Sequence, residues 1–347
     1  MKKPLKKIIV FILSAAVLIG SFDLIQRLLT PKYVDGIVEG AFVKEYYAEE
    51  MDHDVLFVGD CEVYENFSPV TLWEKYGINS YIRGSAEQYI FQSYYLLEDA
   101  FLYEKPKVVV FNIQSLQFDY SRSEAYNRMS IEGMRWSKYK VGSIYASMTE
   151  EESFIEYVFP ILRYHSRWSE LTKDDFKYLF SQPTVTHNGY YMRVDAKPAG
   201  SFPAVKPLGD YSFSERAWSY LYRIVEACRR NGSELILIKA PSLYPHWYDE
   251  WDDEVKEYAA SEGLRYINFL EHTDEIGLDY STDTYDGGLH LNLYGAEKCA
   301  DWLGNILSTE YGLADRRSDS HLAAVWAEKI EAYNAEIAAQ KVKYGIE

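Results

Sequence analysis

Three cysteines in a chain of 347 residues are too few to staple a disulfide scaffold. No Cys-x-x-Cys pair is present, so Cys61 lacks an adjacent resolving thiol and a redox role ranks last. No group of His and Cys has zinc spacing, His165, His246 and His272 included. No glycine-rich phosphate loop occurs either. The sequence therefore calls for no metal and no cofactor. Internal repeats and long low-complexity tracts are missing. Basic residues are scarce, with 36 Lys and Arg against 53 Asp and Glu, for a net charge of −17. Residues 1–30 hold Lys2, Lys3, Lys6, Lys7 and Arg27 against Asp23, a balance of +4, so the rest carries −17 − 4 = −21. So acidic a surface argues against nucleic acid or anionic lipid as its partner.

What is present is apolar and aromatic. Hydrophobic residues make up 48%, enough for a sizeable core and against global disorder. Tyr is frequent at 32 residues, beside 16 Phe and 8 Trp. Packing accounts for most of them, and platforms for sugar rings are the sharper alternative. One long apolar run, Ile8 to Phe22, follows the lysine cluster, and Leu24, Ile25, Leu28 and Leu29 extend it. A basic flank before an apolar run marks a membrane anchor or an export signal. No small-x-small cleavage site follows Phe22. The expectation is a single-pass, uncleaved anchor with its N-terminus inside and the rest outside the cytoplasm; a cleaved signal is the alternative.

Beyond the connector at 31–50, short apolar runs alternate with amphipathic stretches. Strands are expected at Asp54–Gly59, Asn79–Ile82, Lys107–Asn112, Glu234–Lys239 and Leu264–Asn268. Helices are expected at Pro69–Tyr76, Gln88–Tyr103, Ser214–Asn231, Asp253–Glu262 and Tyr294–Ser308. Such a rhythm implies an α/β fold, a flavodoxin-like three-layer α/β/α sandwich around a parallel sheet. The domain falls in two pieces, 51–116 and 214–310. Residues 117–213 break the rhythm and read as a mostly helical cap insertion, with helices at 151–168 and 172–181. Residues 311–347 read as a helical tail. Cys228 and Cys299 sit at helical spacing among apolar residues and read as buried thiols, although a bond between them stays open.

Ligands of such sheets bind beyond the carboxyl ends of the strands. The first strand ends Gly59-Asp60-Cys61, the second Arg83-Gly84-Ser85, the third Asn112-Ile113-Gln114 and the fourth Lys239-Ala240-Pro241. A late loop reads Asp286-Gly287-Gly288-Leu289-His290. Each is weak alone: Cys after Gly-Asp is usually structural, and Asp-x-x-x-His can be a surface pair. Lys239 reads as a strand-end lysine reaching solvent or as a cation anchoring a ligand. His187-Asn188-Gly189-Tyr190-Tyr191 reads as a turn before a short strand, or as the lining of a glycan cleft.

The joint order of these blocks resembles the SGNH (GDSL-like) hydrolase family, over residues 52–115 and 233–308. The phrases VLFVGDCEVY, INSYIRGSAEQ, KPKVVVFN and DGGLHLNLYGAEK are similar to its membrane-anchored branch that modifies cell-surface polysaccharides. The resemblance implies Cys61 as nucleophile in place of the family's Ser, His290 as base and Asp286 as the orienting carboxylate. It implies oxyanion donors at Cys61 and Gly84, with Asn112 or Gln114 as the amide. Asp60, Gln88, Lys239, Tyr190 and Tyr191 are the expected substrate-binding residues. The implied activity is ester cleavage or O-acyl transfer on a surface polysaccharide, with a membrane-bound O-acyltransferase as possible partner. A non-catalytic glycan-binding or assembly module is the competing function. Asp60 and Glu62 flank Cys61, and negative charge disfavours a thiolate.

Overall fold

The computed structural model describes residues 2–31, 42–181, 184–200, 202 and 204–346. Parts of the connector and of the Gln182–Gly209 segment thus lie outside the described residues. A long helix, α1 (Lys2–Leu29), comes first and α2 (Phe42–Glu45) follows. The sheet-forming part then runs β1 (Val55–Gly59), α3 (Cys61–Tyr64), α4 (Pro69–Tyr76), β2 (Ser80–Gly84), α5 (Ile90–Ala100) and β3 (Val108–Asn112). The insertion holds α6 (Glu124–Glu132), α7 (Lys138–Ser147), α8 (Phe154–Val158), α9 (Ile161–Tyr164) and α10 (Lys173–Tyr178). The chain returns through α11 (Glu215–Asn231), β4 (Glu234–Lys239), α12 (Asp249–Glu262), β5 (Arg265–Asn268), α13 (Thr273–Ile276), α14 (Leu293–Thr309) and α15 (Ser320–Tyr344).

The five strands pair in parallel in the order β2-β1-β3-β4-β5. This is the flavodoxin-like arrangement, whose strand order reverses between β1 and β3. Strand side chains alternate between two cores, as the period of two requires. Val55, Phe57, Val108, Val110, Ile236 and Ile238 pack with α4, α14 and α15 on one face. Val58, Val109, Phe111, Leu235 and Leu237 pack with α5, α11 and α12 on the other. Both faces of the sheet are covered, and every residue of β1, β2 and β3 is buried.

Local signals set the boundaries. Ser68 accepts from Thr71 N and starts α4 with Pro69 in its first turn. Ser214 caps α11, and Gly232 and Gly263 end α11 and α12 in the left-handed conformation. Cys228 and Cys299 are free and buried, without a bond between them. The expected helix at 151–168 breaks into α8, α9 and a 3₁₀ turn, because Pro160 interrupts it. Helices α6 and α7 lie in the expected mostly helical cap, in a part of it where the sequence marks no individual helix.

Two segments take places the sequence did not foretell. The strand-like turn around Asn188 lies on the edge of β2, with Ile82 N donating to Asn188 O at 2.9 Å. Gly189 approaches so closely that a Cβ there would lie 2.1 Å from Ile82 O. The C-terminal helix α15 is no loose tail. Trp326 stacks on Trp73 with centroids 5.2 Å apart and donates to Asn79 Oδ1 at 3.1 Å.

Candidate active site

The turn after β1 is built from its own side chains. Asp60 caps α3, its Oδ1 accepting from Glu62 N at 3.2 Å. Cys61 is the first residue of that short helix, where a backbone N–H has no intrahelical acceptor. Gly84 at the end of β2 lies against this turn: a Cβ there would meet Gly59 O at 3.1 Å and Asp60 O at 3.4 Å. A side chain would push the two strand ends apart.

Beneath the turn lies a buried polar cluster. Lys239 is fully buried and its Nζ donates to Glu62 Oε2 at 2.9 Å and to Ala240 O at 2.8 Å. Asn112 Nδ2 donates to Asp60 Oδ1 and to Glu62 Oε2, both at 3.2 Å, while its Oδ1 accepts from Ala240 N at 3.1 Å. Burial raises the Glu62 carboxyl to about 7 against the pull of Lys239. Burial likewise raises Asp60, against the Asn112 hydrogen bond.

The late loop is folded by its own hydrogen bonds. Gly287 and Gly288 take φ of 92° and 107°, and Gly288 N donates to Thr284 Oγ1 at 2.8 Å. Thr284 Oγ1 donates in turn to His290 O at 2.7 Å. Asp286 then reaches His290 twice, accepting from its backbone N at 2.9 Å and meeting Nδ1 at 2.6 Å. The loop is tied to the segment after α3, since Leu291 N donates to Asn66 Oδ1 at 2.7 Å and Asn66 Nδ2 to Ser242 Oγ at 3.0 Å.

This tie brings the imidazole to Cys61. Thiol and ring influence each other through charge, while Nε2 is buried and has no hydrogen-bond partner. Burial pushes the Cys61 thiol up to about 12, His290 draws it down, and Asp60 and Glu65 push it further up. Burial opposes a charge on His290, yet Glu65, Cys61 and Asp286 together raise it well above its ordinary value. Asp286 is lowered, because its hydrogen bond and charge contact with His290 outweigh its burial. Cys61 keeps part of its surface open, unlike the other two cysteines. The chain matches no protein-family model and no curated protein.

Sequence reasoning passed over two members of this site. Glu65 Oε1 lies 3.7 Å from His290 Nδ1, and Glu65 accepts a hydrogen bond from Tyr285, whose ring stacks on His290 at 6.0 Å. The signal for Glu65 was its spacing, four residues after Cys61 on one helical turn. Tyr285 had none beyond its place next to Asp286.

The remaining expected residues divide. Asp60, Gly84 and Asn112 gather at the Cys61 turn, but the Asn112 amide is engaged with two carboxylates. Gln114, in the 3₁₀ turn after β3, is buried with neither amide atom hydrogen-bonded. Of the two amides it is the one with unspent donors. Three of the expected substrate-binding residues are buried and engaged within the protein. Lys239 is fully buried and holds Glu62 inside the protein. Gln88 is buried and spends its amide on Arg83 O, Ser93 Oγ and Ser85 Oγ. Tyr190 is a core residue near Tyr333 rather than the wall of a cleft. Tyr191 stays half-buried, its N–H donating to Tyr64 O at 2.8 Å and its ring 5.9 Å from Phe42.

Proposed function

We propose that the protein is an SGNH-like acyl esterase or O-acyltransferase of cell-surface polysaccharide, working through Cys61, His290 and Asp286. One observation carries this reading: a partly open thiol beside an imidazole whose Nδ1 is held by Asp286 at 2.6 Å and whose Nε2 is unpartnered. A nucleophile needs a base, and the base needs an orienting carboxylate.

When His290 is neutral, its Nε2 takes the Cys61 proton as sulfur attacks the acyl carbon. The carbonyl oxygen gains negative charge beside the N–H groups of Cys61 and Gly84. Collapse expels the alcohol, which leaves with the proton from Nε2, and an acyl thioester remains on Cys61. Water, or a sugar hydroxyl, then gives its proton to Nε2, attacks the thioester and releases the thiol. One well-aimed oxyanion donor is worth about 3–4 kcal/mol in such a step. The Lys-flanked helix α1 supports an extracytoplasmic, membrane-tethered placement, and a membrane-bound O-acyltransferase is the partner that fits transfer.

Hydrolysis of an activated acetyl ester by the full chain tests the reading. Cys61→Ala is expected to abolish it and to leave no trapped acyl group on the protein; full activity in that variant rejects the triad. A second reading, a glycan-binding or assembly module without turnover, draws support from burial of the thiol and from the Asp60 and Glu65 carboxylates, all of which push its ionisation up. It is favoured if the wild-type chain binds glycan, does not cleave the ester, and binds equally well as Cys61→Ala.

A further inference from the structure

Residues 154–180 carry large apolar side chains that the fold leaves open: Ile155, Phe159, Leu162, Trp168, Phe176 and Phe180. Trp168 is 74% exposed and Phe180 83%. Single exposed apolar residues need no explanation, but a contiguous group marks a contact surface. This group is contiguous with α1. Helices α9 and α10 and the turn between them pack on α1. The Phe159 ring meets that of Phe22 at 6.0 Å, and Arg167 Nη1 donates to Leu29 O at 2.6 Å.

Helix α1 is itself long and apolar enough to cross a bilayer, with none of its apolar window buried against protein. The exposed rings of the insertion lie in the segment that packs beside the C-terminal part of α1. At the same junction a cavity of about 1030 Å³ is lined by Trp136 and by Arg27, Lys44, Arg128, Lys140 and Arg163, with Asp23, Glu124 and Glu132 ion-paired to the arginines. Cations and indole rings at the end of a membrane helix match the chemistry of the headgroup layer. The lining carries five cations against three carboxylates, a small local excess in a chain that is acidic as a whole.

We infer that residues 154–180 form a second membrane contact, seated in the interface of the bilayer that α1 enters, with Trp168, Phe176 and Phe180 at the boundary of headgroups and acyl chains. The occupant of this surface is the bilayer itself. The inference rests on the reading of α1 as a membrane helix. Two contacts in place of one would fix the orientation of the domain over the membrane, where a lone helix joined by a connector would leave it free to tilt.

The full chain in phosphatidylcholine nanodiscs tests this, with p-benzoylphenylalanine placed singly at Trp168, Phe176 and Phe180. Reference positions are Leu18 in α1 and Tyr222, which is exposed on α11. Irradiation is expected to give lipid adducts at 168, 176 and 180 at least several-fold above Tyr222, read by mass spectrometry. Lipid adducts at Leu18 with only Tyr222-level labelling at the three sites overturn the second contact and leave the anchor standing. Chain-to-chain adducts at the three sites in place of lipid overturn it in favour of self-association. Failure at Leu18 removes the anchor and the inference with it.

Discussion

At the residue scale the site is a contest between burial and charge around one sulfur. Burial holds the Cys61 thiol near 12, and His290 is the partner that draws it down. The thiolate is the reacting form, so alkylation of Cys61 by iodoacetamide should keep rising with pH beyond 9, the ordinary thiol value, without levelling there. His290→Ala removes the lowering partner. Alkylation at pH 8 should then slow by about tenfold or more, since a nearby opposite charge shifts an ionisation by one to three units. A rate that levels off near pH 8 would contradict the assignment of the thiol. The Lys239–Glu62 pair beneath behaves differently, because its two charges are both sealed from water. Lys239→Met strands a buried carboxylate and should cost about 3–5 kcal/mol in denaturant unfolding. Adding Glu62→Gln to Lys239→Met should recover much of that loss, and a double variant as unstable as the single one would show that the pair is not the cause.

At the element scale the C-terminal helix α15 does more than its composition implies. Its Ala, Glu and Lys content reads as a solvated helix, yet Leu322, Trp326 and Tyr333 are buried on α4 and α14. Trp326→Ala removes the ring stacked on Trp73 and leaves Asn79 without its donor. The expected loss is about 3–5 kcal/mol, typical of a buried aromatic truncated to Ala, read from urea or thermal unfolding. A loss below about 1 kcal/mol would mean that α15 folds on and off without consequence for the sheet domain. The positioning of the site also belongs to this scale. Helix α3 is a single turn, too short to hold itself, and Asp60, Asn112 and Gly84 from three strand ends keep it in place.

At the scale of the whole molecule the division is between an apolar helix and an acidic body. Helix α1 spans 28 residues, against the roughly twenty that a bilayer crossing needs. Membranes carrying the full chain should retain it through an alkaline carbonate wash and release it in detergent. Release by carbonate alone would reduce α1 to a peripheral contact.

The sequence by itself determined the parallel sheet and its order of elements, because strands buried on both faces must be apolar throughout and glycines must stop the helices between them. It also singled out Cys61 and the Asp286–His290 loop, since ligands of such sheets bind beyond the carboxyl ends of the strands. Tertiary structure alone decided which polar residues were free to act. Lys239 and Asn112 were drawn into a buried ion cluster and Tyr190 into the core, whereas Glu65 was turned onto the imidazole. Those outcomes depend on partners dozens to hundreds of residues away, and burial assigns each charge its partner only after the helices have packed.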